Sequence, residues 1–96
     1  MRLGDFQKQI EEMYLERDRA RGSAGTFMWF TEEVGELARA LRRQDEDNLK
    51  EEFADCLAWL CSLASIAGVD MEEAALKYAH GCPVCGGTPC TCPSKP

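Results

Sequence analysis

The stretch EEVGELARALRRQDEDNLKEEFADCLAWL, residues 32–60, decides the fold of this chain. Its apolar residues recur every three or four positions on both sides of the polar link QDED, which is the spacing of two amphipathic helices. An aspartate of the link, Asp45 or Asp47, can cap the second of these helices. Because so short a link favours antiparallel neighbours, we expect the two helices to pack along their apolar stripes.

The sequence before this stretch predicts one more helix. Apolar residues at helical spacing indicate a helix over residues 4–21, and they place the first helix of the quoted stretch over residues 27–43. Between the two, the segment RGSAG at residues 21–25 predicts a loop, because glycine and serine interrupt helices. Thr26 is then the expected N-cap of the helix over 27–43.

The sequence after this stretch predicts a short fourth helix. Gly68 is a natural stop for the second helix of the stretch. Asp70, followed three residues later by Glu73, resembles a capping box that begins a helix ending near His80. No segment alternates with a period of two, so no strand is predicted. The predicted fold class is all-α, a short bundle of about four helices over residues 1–80.

The size and charge of the chain limit what it can bind. A domain within 96 residues buries its apolar surface poorly, so we expect oligomerisation to complete the bundle, as a homodimer or homotetramer. The net charge of −6 opposes binding to duplex nucleic acid, where Lys and Arg must neutralise phosphates. No apolar run approaches the roughly 20 residues of a membrane span, and the N-terminus has no signal-like segment. We therefore expect a soluble, cytoplasmic protein with no membrane partner.

Two pairs of carboxylates occupy matching positions on the two helices of the quoted stretch. With a step of about 100° per residue, Glu33 and Glu36 border one edge of the apolar stripe, and Glu52 and Asp55 border the same edge of the next helix. At the margin of a shared seam four acids repel one another unless a cation relieves them. Oxygen ligands without His or Cys favour Mg²⁺ or Mn²⁺. The alternative is two solvated faces, with Glu36 paired to Arg39.

Both tryptophans of the chain fall on these acidic faces. Trp29 and Trp59 lie close to the carboxylates by the same helical step, whereas Glu51 is turned away from the seam. The tryptophans are either anchors of the core or of an oligomer interface, or a stacking surface for a flat ligand such as a nucleobase.

The acidic motifs resemble those of a known family. EEVGEL, with Glu32, Glu33 and Glu36, and EFAD, with Glu52 and Asp55, resemble the EExxE and ExxD motifs of MazG-like nucleoside triphosphate pyrophosphohydrolases. The resemblance covers the chain from Phe27 to Lys77. It implies an all-α fold assembled with a partner subunit and Mg²⁺-dependent hydrolysis of a nucleoside triphosphate to the monophosphate and pyrophosphate, with nucleotide-pool house-cleaning as a role. It also implies that Glu33, Glu36, Glu52 and Asp55 are Mg²⁺ ligands and that Glu32 lies near the metal-bound water or a second ion.

One element of that family differs in this chain. Many members follow the fourth helix with a basic stretch that reaches the substrate phosphates, but here only Lys77 stands at that place. Either Lys77 fills the role together with Arg17, Arg21 or residues of a partner subunit, or the affinity for substrate is weak.

The last residues, 81–96, form a tail rich in Pro, Gly and Cys. Its segment CPVCGG resembles a zinc knuckle, so we expect a structural zinc site with four protein ligands and no open position. His80 can replace one of the ligands, and disulfides or uncommitted thiols are the alternatives. The expected ligands are Cys82, Cys85, Cys90 and Cys92.

Two other functions use the same features. The first is a non-catalytic helical oligomer whose zinc-binding tail recruits a protein partner. The second is a di-iron carboxylate bundle, which needs Glu-x-x-His pairs that this sequence, with one histidine, does not contain.

Overall fold

The computed structural model describes residues 1–94, and within them the chain is helical without a strand. The predicted all-α class is confirmed, but the number of α-helices is three and not four. The last two residues of the predicted tail, 95–96, lie outside the described residues. The α-helices are α1 (Leu3–Arg43), α2 (Glu46–Ile66) and α3 (Met71–Ala75), and a 3-10 turn, Leu76–Tyr78, follows α3.

Helix α1 is long and bends at one residue. Gly22 has a φ of 86° and a ψ of 169°, a conformation that interrupts the helix and that only glycine adopts readily. The predicted interruption is confirmed at Gly22, but the loop over residues 21–25 is wrong, since the helix resumes directly after Gly22. Thr26 is not an N-cap either, because it is fully buried inside α1. The two predicted helices are the two arms of one bent helix, residues 3–21 and 23–43.

Helix α2 runs back along α1. The link is short, with Gln44 in the left-handed conformation at φ 55° and the Asp45 side chain accepting the Asn48 N–H at 3.4 Å. Trp29 of the second arm stacks on Trp59, whereas Gln7 of the first arm hydrogen-bonds to Ser65. Residue numbers fall on α1 as they rise on α2, so the two helices are antiparallel and the bend lets α2 contact both arms.

A buried amide fixes the other end of the pair. The Gln7 Nε2 donates to the Ser65 Oγ at 3.0 Å and to the Val69 carbonyl at 2.8 Å, and the Gln7 Oε1 accepts the Met71 N–H at 2.8 Å. These bonds join the first arm of α1 to the end of α2 and the start of α3. Sequence periodicity did not predict this network, because it assigns a glutamine to the solvated face.

Two helix termini agree with the sequence. Gly68 has a φ of 75° and closes α2, with the Val69 N–H reaching the Ala64 carbonyl at 2.8 Å. The Asp70 carboxylate then accepts the N–H groups of Glu72 and Glu73 and caps α3. The helical part therefore ends in a short, capped segment before the cysteine tail.

The core within one chain is small. Its buried apolar residues are mostly short, namely Ile10, Ala40, Cys61 and Ala64. The larger residues of the predicted apolar stripes remain open, with Phe27 57% and Phe53 56% exposed. A pair of antiparallel helices buries only one side of each helix, so much of both stripes is left without a partner in a single chain.

None of the helices within residues 1–94 is long and apolar enough to cross a membrane alone. Helix α2 and the segment Met71–Tyr78 reach that length and apolarity only as a pair bent by 108°. Core helices of globular proteins share this property.

Candidate metal centre

Three carboxylates from two helices meet at the seam between α1 and α2. Glu33 and Glu36 are one helical turn apart on α1, and Glu52 approaches them from α2. One carboxylate oxygen of each residue lies within 4.8 Å of the other two. The helical phase and the antiparallel direction of the helices together produce this meeting, and they make it a candidate cation site.

The electrostatics of this carboxylate cluster are unfavourable without a cation. Burial, followed by the charge of Glu36, raises the pKa of Glu33 to about 7. Burial and then the charge of Glu36 also raise the pKa of Glu52. Both shifts mean that the full negative charge of the cluster is disfavoured in the protein alone.

Two oxygens of the cluster are buried without a partner. The Glu33 Oε2 and the Glu52 Oε2 have no hydrogen-bond partner among residues 1–94. A buried carboxylate oxygen that lacks a partner carries a desolvation cost that a bound cation would offset. The carboxylate donors fit Mg²⁺ or Mn²⁺, which prefer hard oxygen ligands.

The thiol of Cys56, which feels the charges of the cluster, does not alter this preference for hard cations. Cys56 is half-buried on α2, and burial followed by the charges of Glu33 and Glu52 raises the pKa of its thiol. The neutral thiol is a poor ligand for a hard cation, because sulfur binds metals as the thiolate. The site is therefore one of oxygen donors.

The other two predicted acids, Asp55 and Glu32, lie outside the carboxylate cluster. Asp55 is exposed and stands outside the group of three oxygens, but its charge contributes to the raised pKa of Glu33 and Glu52. Glu32 is exposed and makes no hydrogen bond or ion pair with any residue in the described part of the chain. The roles that the family resemblance implies for them, Asp55 as a Mg²⁺ ligand and Glu32 near the metal-bound water or a second ion, stay predictions.

A cleft of about 300 Å³ opens beside the carboxylates, between the first arm of α1 and α2. Asp55 belongs to its wall, which connects the cleft with the cluster. The first arm contributes an aromatic ring and two arginines, and α2 contributes Trp59. The lining residues are Tyr14, Arg17, Asp18, Arg21, Asp55, Ala58, Trp59 and Ser62.

Arg21 is held in place next to this cleft. Its Nη1 donates to the Asp18 Oδ1 at 3.0 Å and to the Thr26 Oγ1 at 3.2 Å, so the side chain spans the bend at Gly22. Its guanidinium carbon lies 5.0 Å from the centre of the Trp59 ring. Asp18 is only 3% exposed. The sequence predicted Arg21 as a phosphate contact, but it did not predict that Asp18 is buried beside it. The only sequence indication of this ion pair is the spacing of three residues between Asp18 and Arg21.

The two tryptophans contact each other. The ring centres of Trp29 and Trp59 are 6.3 Å apart, and the ring planes differ by 14°. Trp29 is still 49% exposed, so part of its ring is open to a ligand or a second chain. The proposed stacking on a nucleobase stays a prediction.

Lys77 does not join the cleft. It lies in the 3-10 turn Leu76–Tyr78, with its Nζ 5.8 Å from the centre of the Tyr78 ring. It forms no ion pair with any of residues 1–94, and it is not among the residues that line the cleft.

The structure brings the four tail cysteines together into a second candidate metal site. Their sulfurs all lie within 4.8 Å of one another, and His80 is exposed and outside the group. Hydrogen bonds from the backbone of Thr91 and Gly87 lower the pKa of Cys85 to about 5. The neighbouring thiol of Cys90 contributes most to raising the pKa of Cys92 to about 11.

The fold and the cluster define an all-α protein whose acidic residues converge from two antiparallel helices beside a cleft. A family described as the MazG nucleotide pyrophosphohydrolase domain matches residues 22–83, about two thirds of the chain, and the chain belongs to this family. The match begins at the bend in α1, contains the whole carboxylate cluster and ends just after Cys82. No curated protein sequence matches the chain significantly.

Proposed function

We propose that this chain is a divalent-metal-dependent enzyme that hydrolyses a nucleoside triphosphate to the monophosphate and pyrophosphate. Membership of the family supports nucleotide pyrophosphohydrolase activity in general. The metal dependence rests on one observation, the buried oxygens of Glu33 and Glu52 that have no partner within residues 1–94.

Carboxylates from both α1 and α2 would hold the cation. Glu33, Glu36 and Glu52 supply the three converging oxygens, and Asp55 stands at the side that faces the cleft. When bound, Mg²⁺ or Mn²⁺ neutralises triphosphate charge, orients the triphosphate and lowers the pKa of a water molecule. Because the ligands come from both helices, any change in the packing of α1 on α2 alters this geometry.

The proton that hydrolysis releases passes to a carboxylate. Hydrolysis breaks the P–O–P bridge between the α-phosphate and the β-phosphate, adds the oxygen of water to one of the two phosphorus atoms, and releases the nucleoside monophosphate, pyrophosphate and one proton. A carboxylate within hydrogen-bond reach of that water accepts the proton. Glu32 and Asp55 are the acids outside the group of three oxygens, so they are the two candidates for this role.

The cleft suits the rest of the substrate. Arg17 and Arg21 line it and offer positive charge to phosphates, while Trp59 and Tyr14 offer aromatic faces to a base. Arg21 is fixed by Asp18, so it is ordered before substrate arrives. Arg17 and Arg21 would take the place of the basic stretch that many family members have after the fourth helix, without a contribution from Lys77.

We also propose that the chain is a homodimer or homotetramer. A compact monomer of 10.7 kDa exposes about 5,500 Å², whereas this chain exposes 7402 Å². The difference of about 1,900 Å² includes the tail, and it is of the size that one subunit buries in an obligate dimer. The open apolar surface contains Phe27, Val34, Leu41 and Phe53, which are 57%, 44%, 52% and 56% exposed.

A non-catalytic oligomer that recruits a protein through its tail is the second candidate. The cysteine cluster supports the part of this candidate that concerns the tail, a metal-binding segment able to recruit a protein. A non-catalytic oligomer does not explain the buried carboxylate oxygens without partners on α1 and α2. Hydrolysis is therefore the better proposal.

Release of pyrophosphate tests the proposal. Purified protein is incubated with Mg²⁺ and a panel of normal and modified nucleoside triphosphates, and the assay is repeated with Glu36→Gln and Glu52→Gln. We expect each variant to lose on the order of 100-fold or more in activity, the effect of removing a group that positions transition-state charge. The matched control is Glu51→Gln, an exposed neighbour of Glu52 on the same helix, which should keep its activity.

Two results would contradict hydrolysis at this site. One is a wild-type protein that releases no pyrophosphate from any substrate above background. The other is a Glu36→Gln or Glu52→Gln protein that is as active as the Glu51→Gln control.

A further inference from the structure

The sulfurs of the tail stand at distances that a shared metal ion would impose. The Sγ of Cys82 lies 3.7 Å from that of Cys92 and 3.6 Å from that of Cys90, and the Sγ atoms of Cys85 and Cys90 are 3.8 Å apart. A disulfide needs sulfurs about 2 Å apart, and all four cysteines are free. Four thiolates at about 2.3 Å around one zinc ion sit about 3.8 Å from each other, the edge of the tetrahedron.

Backbone donors point at these sulfurs in a repeated pattern. The N–H of Val84 donates to Cys82, that of Gly87 to Cys85 and that of Cys92 to Cys90, at 3.4, 3.4 and 3.3 Å. In each case the donor is two residues after the cysteine that accepts. Hydrogen bonds to an ionised acceptor are stronger than those to a neutral one, and outer-shell bonds of this kind orient metal ligands. The tail backbone is therefore arranged for thiolates.

Within residues 82–94 the tail has no apolar core that could hold this shape. Val84, its one aliphatic side chain beyond proline within residues 82–94, is 84% exposed. The backbone is nevertheless tightly folded, since a Cβ at Gly81 would stand 2.8 Å from the Gly86 carbonyl oxygen. So short a segment needs a cross-link to be stable. A structural zinc ion can supply this cross-link, because its binding free energy contributes directly to folding.

We infer that Cys82, Cys85, Cys90 and Cys92 bind one structural Zn²⁺ ion and that this ion folds the tail. Four protein ligands leave no open position for water, so the ion takes no part in the proposed hydrolysis. Soft thiolates select zinc, whereas the carboxylates of the helices select a hard cation, so one chain binds two different metals. The family match ends just after Cys82, and the zinc site is an addition to the helical domain.

Metal analysis of the full chain, purified under reducing conditions, tests the inference. We expect one zinc per chain, and four thiols that react with a thiol reagent only after a chelator removes the metal. Replacement of the zinc by Co²⁺ should give the visible absorption of tetrahedral cobalt thiolate. Cys85→Ser and Cys90→Ser should lose the zinc, whereas Cys56→Ala, which removes a thiol outside the tail, should keep it.

Helical circular dichroism of each variant separates loss of zinc from loss of the fold. The Co²⁺ spectrum of the wild-type protein tests the site even if the cysteine variants do not fold. The inference is overturned by a wild-type protein that carries no zinc and gives no tetrahedral cobalt spectrum, by one that carries iron instead, or by Cys85→Ser and Cys90→Ser proteins with undiminished zinc. None of these outcomes depends on pyrophosphate release, so the zinc site and the hydrolase proposal fail or succeed separately.

Discussion

Glu33 on α1 and Glu52 on α2 approach each other across the helix seam, and each has one buried carboxylate oxygen with no partner within residues 1–94. Two like charges at such a place lower stability unless something of opposite charge joins them. The proposed cation site therefore lies in the helix seam, and the stability of the protein should respond to divalent cations and to pH.

Without added divalent cation, the protein should become less stable as the pH rises. The pKa of Glu33 is about 7 in the folded chain against an ordinary value of 4.5, so the folded state binds more protons between these values. Stability is then highest below about pH 4.5 for this group and falls as the pH rises through 7. Each pKa unit corresponds to about 1.4 kcal/mol, and solvent screening leaves an expected loss on the order of 1–2 kcal/mol.

Thermal unfolding at pH 5 and pH 8 in the absence of Mg²⁺ measures this loss. Glu33→Gln should flatten the dependence, and Glu51→Gln should leave it unchanged. Added Mg²⁺ should restore the melting temperature at pH 8. A wild-type protein that gains stability over this range would contradict the assigned charge state of the cluster.

Arg21→Met should destabilise the chain by about 1–3 kcal/mol, because it leaves the buried Asp18 carboxylate without its partner. It should also reduce activity, since the cleft loses an ordered cation. Urea unfolding measures the first effect, and adding Asp18→Asn to the same protein should recover part of it. The comparison variant is Arg19→Met on the exposed side of the same arm, and an equal loss there would refute the role of the ion pair.

Gly22→Ala should destabilise the bend in α1. A residue with a side chain at φ 86° and ψ 169° is strained by about 1–3 kcal/mol, whatever space surrounds it. Gly35 offers the opposite case on the same helix, because no atom lies within 4 Å of its added Cβ and its φ is ordinary. Gly35→Ala should therefore stabilise by roughly 0.5–1 kcal/mol. A Gly22→Ala denaturant midpoint that does not fall below that of the wild type would show that α1 does not bend at Gly22.

The wild-type chain should have at least twice the mass of a monomer in solution. Phe53→Glu places a charge on the open apolar stripe of α2 and should shift the protein toward monomer, with lower stability. Light scattering after gel filtration gives both masses. A wild-type monomer at micromolar concentration would refute the proposed oligomer.

Helical phase predicted that Glu33, Glu36 and Glu52 lie together, because the acids keep the same relation to their apolar stripes and a short link makes the helices antiparallel. It also placed Asp55 in this group, but Asp55 stands outside the three converging oxygens. The glycines of RGSAG placed an interruption at residues 21–25, but the sequence did not predict that it is a bend at one residue. RGSAG has the composition of a loop, but Arg21 bonds across Gly22 to Thr26 and the helix resumes at once. Periodicity also does not distinguish an apolar residue buried in its own chain from one left for a partner, as Phe27 and Phe53 show.

Titration of the protein with Mn²⁺, followed by electron paramagnetic resonance of the free ion, tests most directly whether the two helices form one cation site. The wild-type protein and Glu51→Gln should bind Mn²⁺ with equal affinity, and Mg²⁺ should compete. Glu33→Gln and Glu52→Gln should each weaken the binding by at least about 10-fold, since each removes a charged ligand worth more than about 1.4 kcal/mol. Binding that is equally tight in all four proteins, or absent from the wild type, would contradict the site.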